Sequence, residues 1–592
     1  MPGLFGWIAT RPLDRPSFAA GPGDGDSRGR PCLQVETDGF ALGLHERPHG
    51  PAAGTIAAAD GTTAALYGHC YDPQDGARLD AATLRSRLAD EGDALLDRLD
   101  GAFHYLEHDP AAGRLRLLND RVGTIPMYWH AGDGLVSFGP RLRLLARRDA
   151  SWDAAPGAVV CFLSVGHYLG PSTQVRQARL LTPATILDFD LRSLELRERR
   201  YWNLHYEPDT GTSTAEHRRR LGEAIEESVA LLSGPGAGES GIFLSGGWDS
   251  RSILGAMLAL GRPPRLVVTN GVSDEIPYAD TWLAKRMAGD LGLPFRFCRR
   301  VPDVGPRLWL DGVHAGEITT ANNPESFGQH RLPPETFAEI DCIMKGDVTW
   351  GSGDRAPTRE LSIAKIVPYP LAEKVKAVLQ PDLAAEADAL YEAEIDGVMR
   401  HCRNTDWTDR RDYLWQMGGI NRYILGLGIS DEEHVQVRRP LLAGRVFAAY
   451  TQVPPNLRVL KNLFIETIRT RYPRMFAYGR NHTSNIANYY AIMAPFVRER
   501  TLAHLDAGHD LGGLLDREAC RRVIAAFAPV DGPRWIPGLK RRAYVRLHDR
   551  HSWRWHRTRF YHEKHVKTFK TSDTSLAFHI YLLLEWFHGA PE

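Results

Sequence analysis

No excess of either charge marks this sequence: its 592 residues hold 72 lysines and arginines against 72 aspartates and glutamates. A chain without a net field has no general pull towards nucleic acid or an anionic membrane, so neither is expected as a partner. Cysteine is sparse and unpaired in spacing. Cys32, Cys70, Cys161, Cys298, Cys342, Cys402 and Cys520 form no Cys-x-x-Cys, which argues against a zinc ribbon or a disulfide framework. Long apolar runs are missing too. The most apolar late stretch, 576–587, is interrupted by His579 and Glu585 and is too short to span a bilayer. The opening Met-Pro-Gly-Leu-Phe-Gly shows no basic region followed by an apolar core, so no secretion signal is expected and the cytoplasm is the expected compartment. No repeat period or low-complexity segment is evident. Length alone implies at least two domains with large cores.

The patterning divides the chain into four stretches. Residues 1–150 read as a β-rich layered domain, with short runs at 64–67, 102–107, 115–119 and 135–138 between Gly, Asp and Pro turns. Helical spacing occurs there only at 81–91 and 95–99. Residues 151–212 read as a linker ending in the polar 209–214. In 213–500 helices and strands alternate: helices at 215–232, 251–260 and 277–291, strands at 241–244, 265–269 and 295–298. That succession predicts a parallel sheet with its ligand at the strands' carboxyl ends. The stretch 371–471 is mainly helical. Residues 501–592 read as a helical extension in which 541–570 mixes Arg, Lys and His with Trp553, Trp555, Phe560 and Tyr561. It is either a basic-aromatic surface for an anionic or peptide partner or a helix with its aromatics packed inward.

The most specific stretch is 242–250, Ile-Phe-Leu-Ser-Gly-Gly-Trp-Asp-Ser. An apolar strand runs straight into a turn suited to pyrophosphate. Gly246 and Gly247 let the backbone approach an anion closely, Ser245 and Ser250 add hydroxyl donors, and the following helix turns its N-terminal N–H groups to the same place. Asp249 would repel a phosphate but suits the Mg²⁺ that accompanies ATP. The pattern is neither the Gly-x-x-x-x-Gly-Lys-Ser/Thr loop nor the Gly-x-Gly-x-x-Gly fingerprint. It resembles the PP-loop of ATP pyrophosphatases, which cleave ATP between its α- and β-phosphates.

More of the chain, most of 1–490, resembles the asparagine synthetase superfamily. The echoes are Met1 to Gly6, Leu66-Tyr67-Gly68-His69-Cys70-Tyr71-Asp72, Arg98-Leu99-Asp100-Gly101-Ala102-Phe103, Asn119-Asp120-Arg121-Val122-Gly123 and Pro126-Met127-Tyr128. Later come Ser273-Asp274-Glu275, Val437-Arg438-Arg439-Pro440-Leu441-Leu442, Pro454-Pro455-Asn456-Leu457 and Lys461. The resemblance implies an N-terminal-nucleophile (Ntn-type) glutaminase-like β-sandwich followed by a PP-loop synthetase domain whose parallel sheet is flanked by helices. It also implies ATP and Mg²⁺. The departures are informative. Glutaminases of this class need a cysteine at the mature N-terminus, its free α-amine serving as base, and here Pro2 stands there. Cys70 lies inside the chain, and the family's Arg-Gly-Pro and Asp-Thr-Glu segments are not visible. A glutaminase domain without activity is expected.

Superfamily members without that cysteine include β-lactam synthetase, carbapenam synthetase and the lasso peptide cyclases, which join an activated carboxylate to nitrogen of the same molecule. The length, Arg251 directly after the loop and the basic-aromatic tail favour the lasso cyclase. Its substrate would be a precursor core peptide, with a leader peptidase and a leader-binding protein in the same pathway. A small-molecule amidoligase and a non-catalytic nucleotide binder are the alternatives. By resemblance, Ser245, Gly246, Gly247, Ser250, Arg251 and Gly346 contact the phosphates, and adenine lies against Leu244, Val268 and Thr269. Asp249 and Asp347 hold the metal; Asp347, in Met344-Lys345-Gly346-Asp347, matches the family's Gly-Glu-Gly-x-Asp only with a one-residue gap. Lys345 replaces a family glutamate and, as an ammonium, suits phosphate rather than base work. Lys461 is implied as catalytic. Arg480-Asn481-His482 replaces an Arg-x-Lys segment; Arg480 suits phosphate, and His482 is an oxyanion donor, a proton carrier or a surface loop residue.

Overall fold

The computed structural model describes residues 3–9, 32–37, 39–45, 54–132, 134–145, 152–193, 195–234, 236–300, 305, 310, 313, 317–318, 320–321, 332–347, 351, 353–427, 429–481, 489–527 and 570–589. Twelve strands build the N-terminal part. In chain order they are β1 (Gly3–Ala9), β2 (Cys32–Thr37), β3 (Phe40–His45), β4 (Gly54–Ala59), β5 (Thr62–Tyr71), β6 (Asp100–Asp109), β7 (Arg114–Asn119), β8 (Tyr128–Gly132), β9 (Leu135–Gly139), β10 (Arg179–Leu180), β11 (Thr185–Asp190) and β12 (Leu196–Arg200). They form two six-stranded antiparallel sheets, ordered β10-β8-β9-β1-β3-β2 and β12-β11-β7-β6-β5-β4.

Period-two alternation decides what lies between the sheets. Ala65 and Tyr67 of β5, with Leu106, Leu117 and Leu187, face Leu4, Phe40, Leu42 and Phe138 of the other sheet. Their neighbours Ala64, Leu66 and Cys70 point the other way, under helix α1 (Ala81–Glu91) and its Leu84 and Leu88. So β5 is buried along its whole length.

Residues 151–212 are not the simple linker expected from sequence. β11 pairs with β7 and β10 with β8, so the sandwich extends to Arg200. Within the same stretch helix α2 (Pro156–Val165) is apolar on every side, and its residues 158–164 are all buried in the core of the C-terminal half. Turn-rich spacing conceals the strands, because runs of two to six residues leave little periodic signal.

Beyond helix α3 (Thr214–Leu232), capped by Ser213, lie β13 (Ser240–Phe243), helix α4 (Trp248–Ala259), β14 (Leu266–Gly271), helix α5 (Asp280–Leu291), β15 (Phe295–Arg299), β16 (Cys342–Met344) and β17 (Gln436–Arg438). The five strands are parallel in the order β15-β14-β13-β16-β17. Ile242, Val267 and Met344 pack on one face of this sheet, and Leu266, Val268 and Ile343 on the other. The chain progresses outward from β13 through β14 to β15, then returns to the opposite side of β13 as β16. That reversal opens a crevice at the carboxyl ends of β13 and β16.

The last described helix, Asp573–His588, starts with a reciprocal Ser572–Ser575 capping box. It is no appended extension: eleven consecutive residues, Leu576 to Trp586, are buried, in the core shared with α2 and the Tyr489–Asp506 helix. Its Glu585 accepts from Arg500 and contacts His504 Nε2 at 3.0 Å. The stretch 541–570 lies outside the described residues except Lys570. Among the described residues, no helix is long and apolar enough to cross a membrane.

Candidate functional site

The crevice is built first by the loop after β13. Leu244 N–H prolongs the ladder by donating to Val268 O at 2.9 Å, and α4 then begins at Trp248 with Gly247 as its N-cap. The helix starts three residues earlier than its periodicity suggested, so Asp249 and Ser250 sit in its first turn. A glycine N-cap supplies no side-chain acceptor, which leaves first-turn N–H groups and the positive end of the helix for an external anion. The turn braces itself: Ser245 N–H donates to Ser250 Oγ and Gly247 N–H to Ser245 Oγ, both at 3.1 Å. Gly246 N–H donates to Asp280 Oδ1 at 2.8 Å.

Close approach explains two glycines. A Cβ on Gly246 would lie 2.7 Å from Leu283 Cδ1. One on Gly346 would lie 2.5 Å from Ser250 N and 2.6 Å from Asp249 C, both backbone atoms. The chain leaving β16 therefore rests directly on the loop leaving β13, and this contact brings the Lys345-Gly346-Asp347 segment to the first turn of α4.

Charge is concentrated at this junction. Lys461 Nζ contacts both carboxylate oxygens of Asp249, at 2.8 and 2.6 Å. Lys461 and Leu460 both adopt left-handed backbone, φ 57° and 55°, and their N–H groups donate to Gly351 O and Gly353 O at 2.9 and 3.0 Å. Non-glycine residues in this region cost energy that the surroundings must offset; here it aims the ammonium. Asp347 accepts from Arg439 Nε at 3.2 Å. Lys345 donates to Asp431 Oδ2 at 2.8 Å, lies 3.8 Å from Asp347 and sits 5.0 Å from the Phe243 ring centroid. Burial raises the Asp249 carboxyl above its ordinary pKa; Lys461 opposes this and Asp347 adds to it. Burial alone would depress the Lys345 ammonium, but Asp347 and Asp431 prevail and raise it.

Asp249 and Asp347, two carboxylates beside helix N–H groups, fit a divalent cation of the magnesium kind, which is commonly held by one or two carboxylates and substrate phosphates. Lys461 and Arg439 supply the compensating positive charge. Among the described residues no group of three or more His, Cys, Asp or Glu side chains is arranged around a metal.

The other expected residues are placed as follows. Ser245, Gly246, Gly247, Asp249, Ser250, Lys345, Gly346, Asp347 and Lys461 converge. Arg251 turns away from the mouth of the loop: it is wholly buried, stacks 4.9 Å from the Trp248 ring and donates to Met475 O at 3.2 Å. Burial lowers its guanidinium to about 10. It is a second-turn residue facing the Pro473–Phe476 helix, and its side chain offers no phosphate contact in this arrangement. Leu244 and Val268 belong to cores on opposite faces of the sheet, and Thr269 is buried, so these side chains form no common adenine slot. Arg480 is exposed, while His482 and Pro2 lie outside the described residues. Cys70 is fully buried, and burial, reinforced by Asp100, Asp120 and Asp72, pushes its thiol well above the usual range. Sequence reading missed Asp280, Asp431 and Arg439. Arg439 stood in a quoted motif without a role, Asp431 opens an Asp-Glu-Glu run, and Asp280 is an acidic first-turn residue of α5.

A family model matches part of the chain. It is the glutamine amidotransferase domain, over residues 76–202. That stretch runs through β6 to β12, and so agrees with a sandwich that continues past residue 150. No curated protein sequence matches the chain. Among solved structures, one titled "structure of the allosteric regulatory enzyme of purine biosynthesis" is similar at 11% identity and TM-score 0.22, covering 52% of this chain and 82% of that one. The glutamine phosphoribosylpyrophosphate amidotransferase of B. subtilis, complexed with ADP and GMP, is similar at 13% identity and TM-score 0.21, covering 51% and 67%.

Proposed function

We propose that this chain is an AMP-forming, ATP-dependent carbon–nitrogen ligase and, within that class, a lasso peptide cyclase. One observation carries the reading: a Ser-Gly-Gly-x-Asp-Ser loop opens α4 at the switch point of a parallel sheet, with Asp347 delivered beside Asp249 by the Gly346 contact. The matched amidotransferase domain supports the coarser class. The nitrogen donor follows from the sandwich. Pro2 directly precedes β1 and has no thiol, and Cys70 is sealed under α1. Among the described side chains of the sandwich no exposed thiol is present, which supports a substrate that brings its own amine.

In the first step a substrate carboxylate oxygen attacks the α-phosphorus of ATP, and pyrophosphate leaves with the bonding pair. The first-turn N–H groups of α4 and the hydroxyls of Ser245 and Ser250 hold the departing phosphates. Asp249 and Asp347 would hold Mg²⁺, which supplies compensation of phosphate charge. Lys461 and Lys345 add fixed positive charge around the reacting centre. In the second step an amine attacks the acyl carbonyl, AMP leaves and a proton is lost from nitrogen. Ring closure within one peptide replaces an encounter by an intramolecular step, which contributes up to ~7–11 kcal/mol in well-oriented cases.

The test is incubation of the protein with ATP, Mg²⁺ and a candidate core peptide, followed by mass spectrometry. Loss of one water from the peptide with one AMP formed is the expected result. ADP formation, or asparagine made from aspartate and ammonium instead, would replace this reading with another.

A further inference from the structure

The second step needs a group to receive the amine's proton, and the carboxylates of the crevice differ in what they can accept. Asp249 has both oxygens on Lys461. Asp280 Oδ1 is taken by Gly246 N–H and Asp347 Oδ2 by Arg439. Asp431 is different. Its Oδ2 accepts from Lys345, whereas its Oδ1 is buried with no hydrogen-bond partner, in a residue 4% exposed. A buried carboxylate oxygen left without a donor is costly, so it calls for one from outside. Its neighbour has the complementary vacancy. Arg439 is 6% exposed, uses Nε on Asp347, and leaves Nη1 buried without a hydrogen-bond partner, 3.7 Å from Glu432 Oε1. Lys345 and Asp347 link the two residues, so an acceptor and a donor without hydrogen-bond partners both lie one contact away from the Lys345-Gly346-Asp347 segment of the crevice.

We propose that Asp431 and Arg439 form the subsite for the attacking amine, Asp431 Oδ1 accepting its N–H and Arg439 Nη1 donating to the carbonyl oxygen of the same residue. A primary amine with a neighbouring carbonyl, as at a peptide N-terminus, is the ligand class this pair fits. The inference rests on the ligase reading above. As the nitrogen lone pair forms the C–N bond, the N–H proton passes to Asp431 Oδ1. The C–O bond to AMP then breaks and its pair leaves on the phosphate. Lys345, bonded to the other oxygen of Asp431, fixes the carboxylate's orientation.

Asp431→Asn keeps the shape and removes the basicity. Two rates are read on it: substrate-dependent exchange of labelled pyrophosphate into ATP, which reports adenylation alone, and amide formation. Amide formation should fall at least ~100-fold further than exchange, in line with loss of a general base. Parallel loss in both rates, or an unchanged amide rate, overturns the subsite. A second arm needs no adenylation. Glycinamide, titrated without ATP and followed by NMR, should bind wild-type protein and bind Arg439→Gln at least ~10-fold more weakly; equal binding, or none to wild type, overturns it as well. Absence of wild-type exchange with retained glycinamide binding contradicts the ligase reading instead. If Asp431→Asn fails to fold, the Arg439→Gln comparison decides.

Discussion

At the residue scale, the site depends on how closely two backbones approach. Gly346 has no room for a methyl group, because the obstructing atoms belong to the first turn of α4 and not to a side chain that can swing aside. Gly346→Ala should therefore displace the 245–250 loop and cost about 1–3 kcal/mol of stability as overpacking, with nucleotide affinity lowered more than ten-fold. Chemical denaturation and isothermal titration with ATP measure the two effects. Unchanged affinity would mean that the loop and Gly346 are not parts of one site. The loop residues were legible in sequence because six consecutive positions carry one piece of chemistry. Asp431, Arg439 and Asp280 were not, because each gains its role from a partner at least 34 residues away, as in Gly246 to Asp280. Arg251 shows the converse. Its place after the loop suggested phosphate, but the helical period turns its side chain onto Trp248 and Met475.

At the scale of elements, alternation of helices and strands after residue 213 points to the parallel sheet, and β13, β14 and β15 with α3, α4 and α5 lie close to where periodicity puts them, whereas β16 and β17, three residues each, carry no such signal. The start of α4 was misjudged because a glycine N-cap and a Trp-Asp-Ser first turn carry no apolar period. The C-terminal helix reads in sequence as an extension, and its polar interruptions, His579 and Glu585, hide how deeply it packs. Both have buried partners: His579 Nδ1 contacts Leu163 O at 2.9 Å, and Glu585 holds Arg500 and His504. Its Ser572 caps the helix by accepting from Ser575 N–H at 3.0 Å. Ser572→Ala should lower stability by about 1 kcal/mol, read as a shift in the denaturation midpoint at constant slope. A loss below a few tenths of a kcal/mol would show that this helix end does not limit the fold.

At the scale of the whole molecule, the sandwich and the C-terminal half are joined by buried polar contacts. Arg121 pairs with Asp100 at 3.0 Å, and Asp100 also accepts from Gly444 N–H at 2.6 Å. Buried histidines make the fold sensitive to acid. Burial holds His104, His167 and His579 neutral, each lowered to about 4. A folded pKa below the unfolded one means stability that is complete above about 6.5 and lost as pH falls towards 4, roughly 3 kcal/mol for each histidine. Asp120 acts in the opposite sense, since burial lifts its carboxyl to about 6; its contribution is present below about 3.8 and lost as pH rises to 6. The three histidines act together against buried carboxyls such as Asp120 and Asp249, and the melting temperature should fall between pH 6.5 and 4.5. A flat profile across that window would contradict the burial of these rings.

The central claim is that the crevice at the ends of β13 and β16 is a nucleotide site. A crystal structure with Mg²⁺ and α,β-methylene-ATP, which cannot be cut between its first two phosphates, tests it most directly. The triphosphate should lie against the 245–250 loop with Asp249 and Asp347 at the metal. A triphosphate bound elsewhere on the protein would contradict the account.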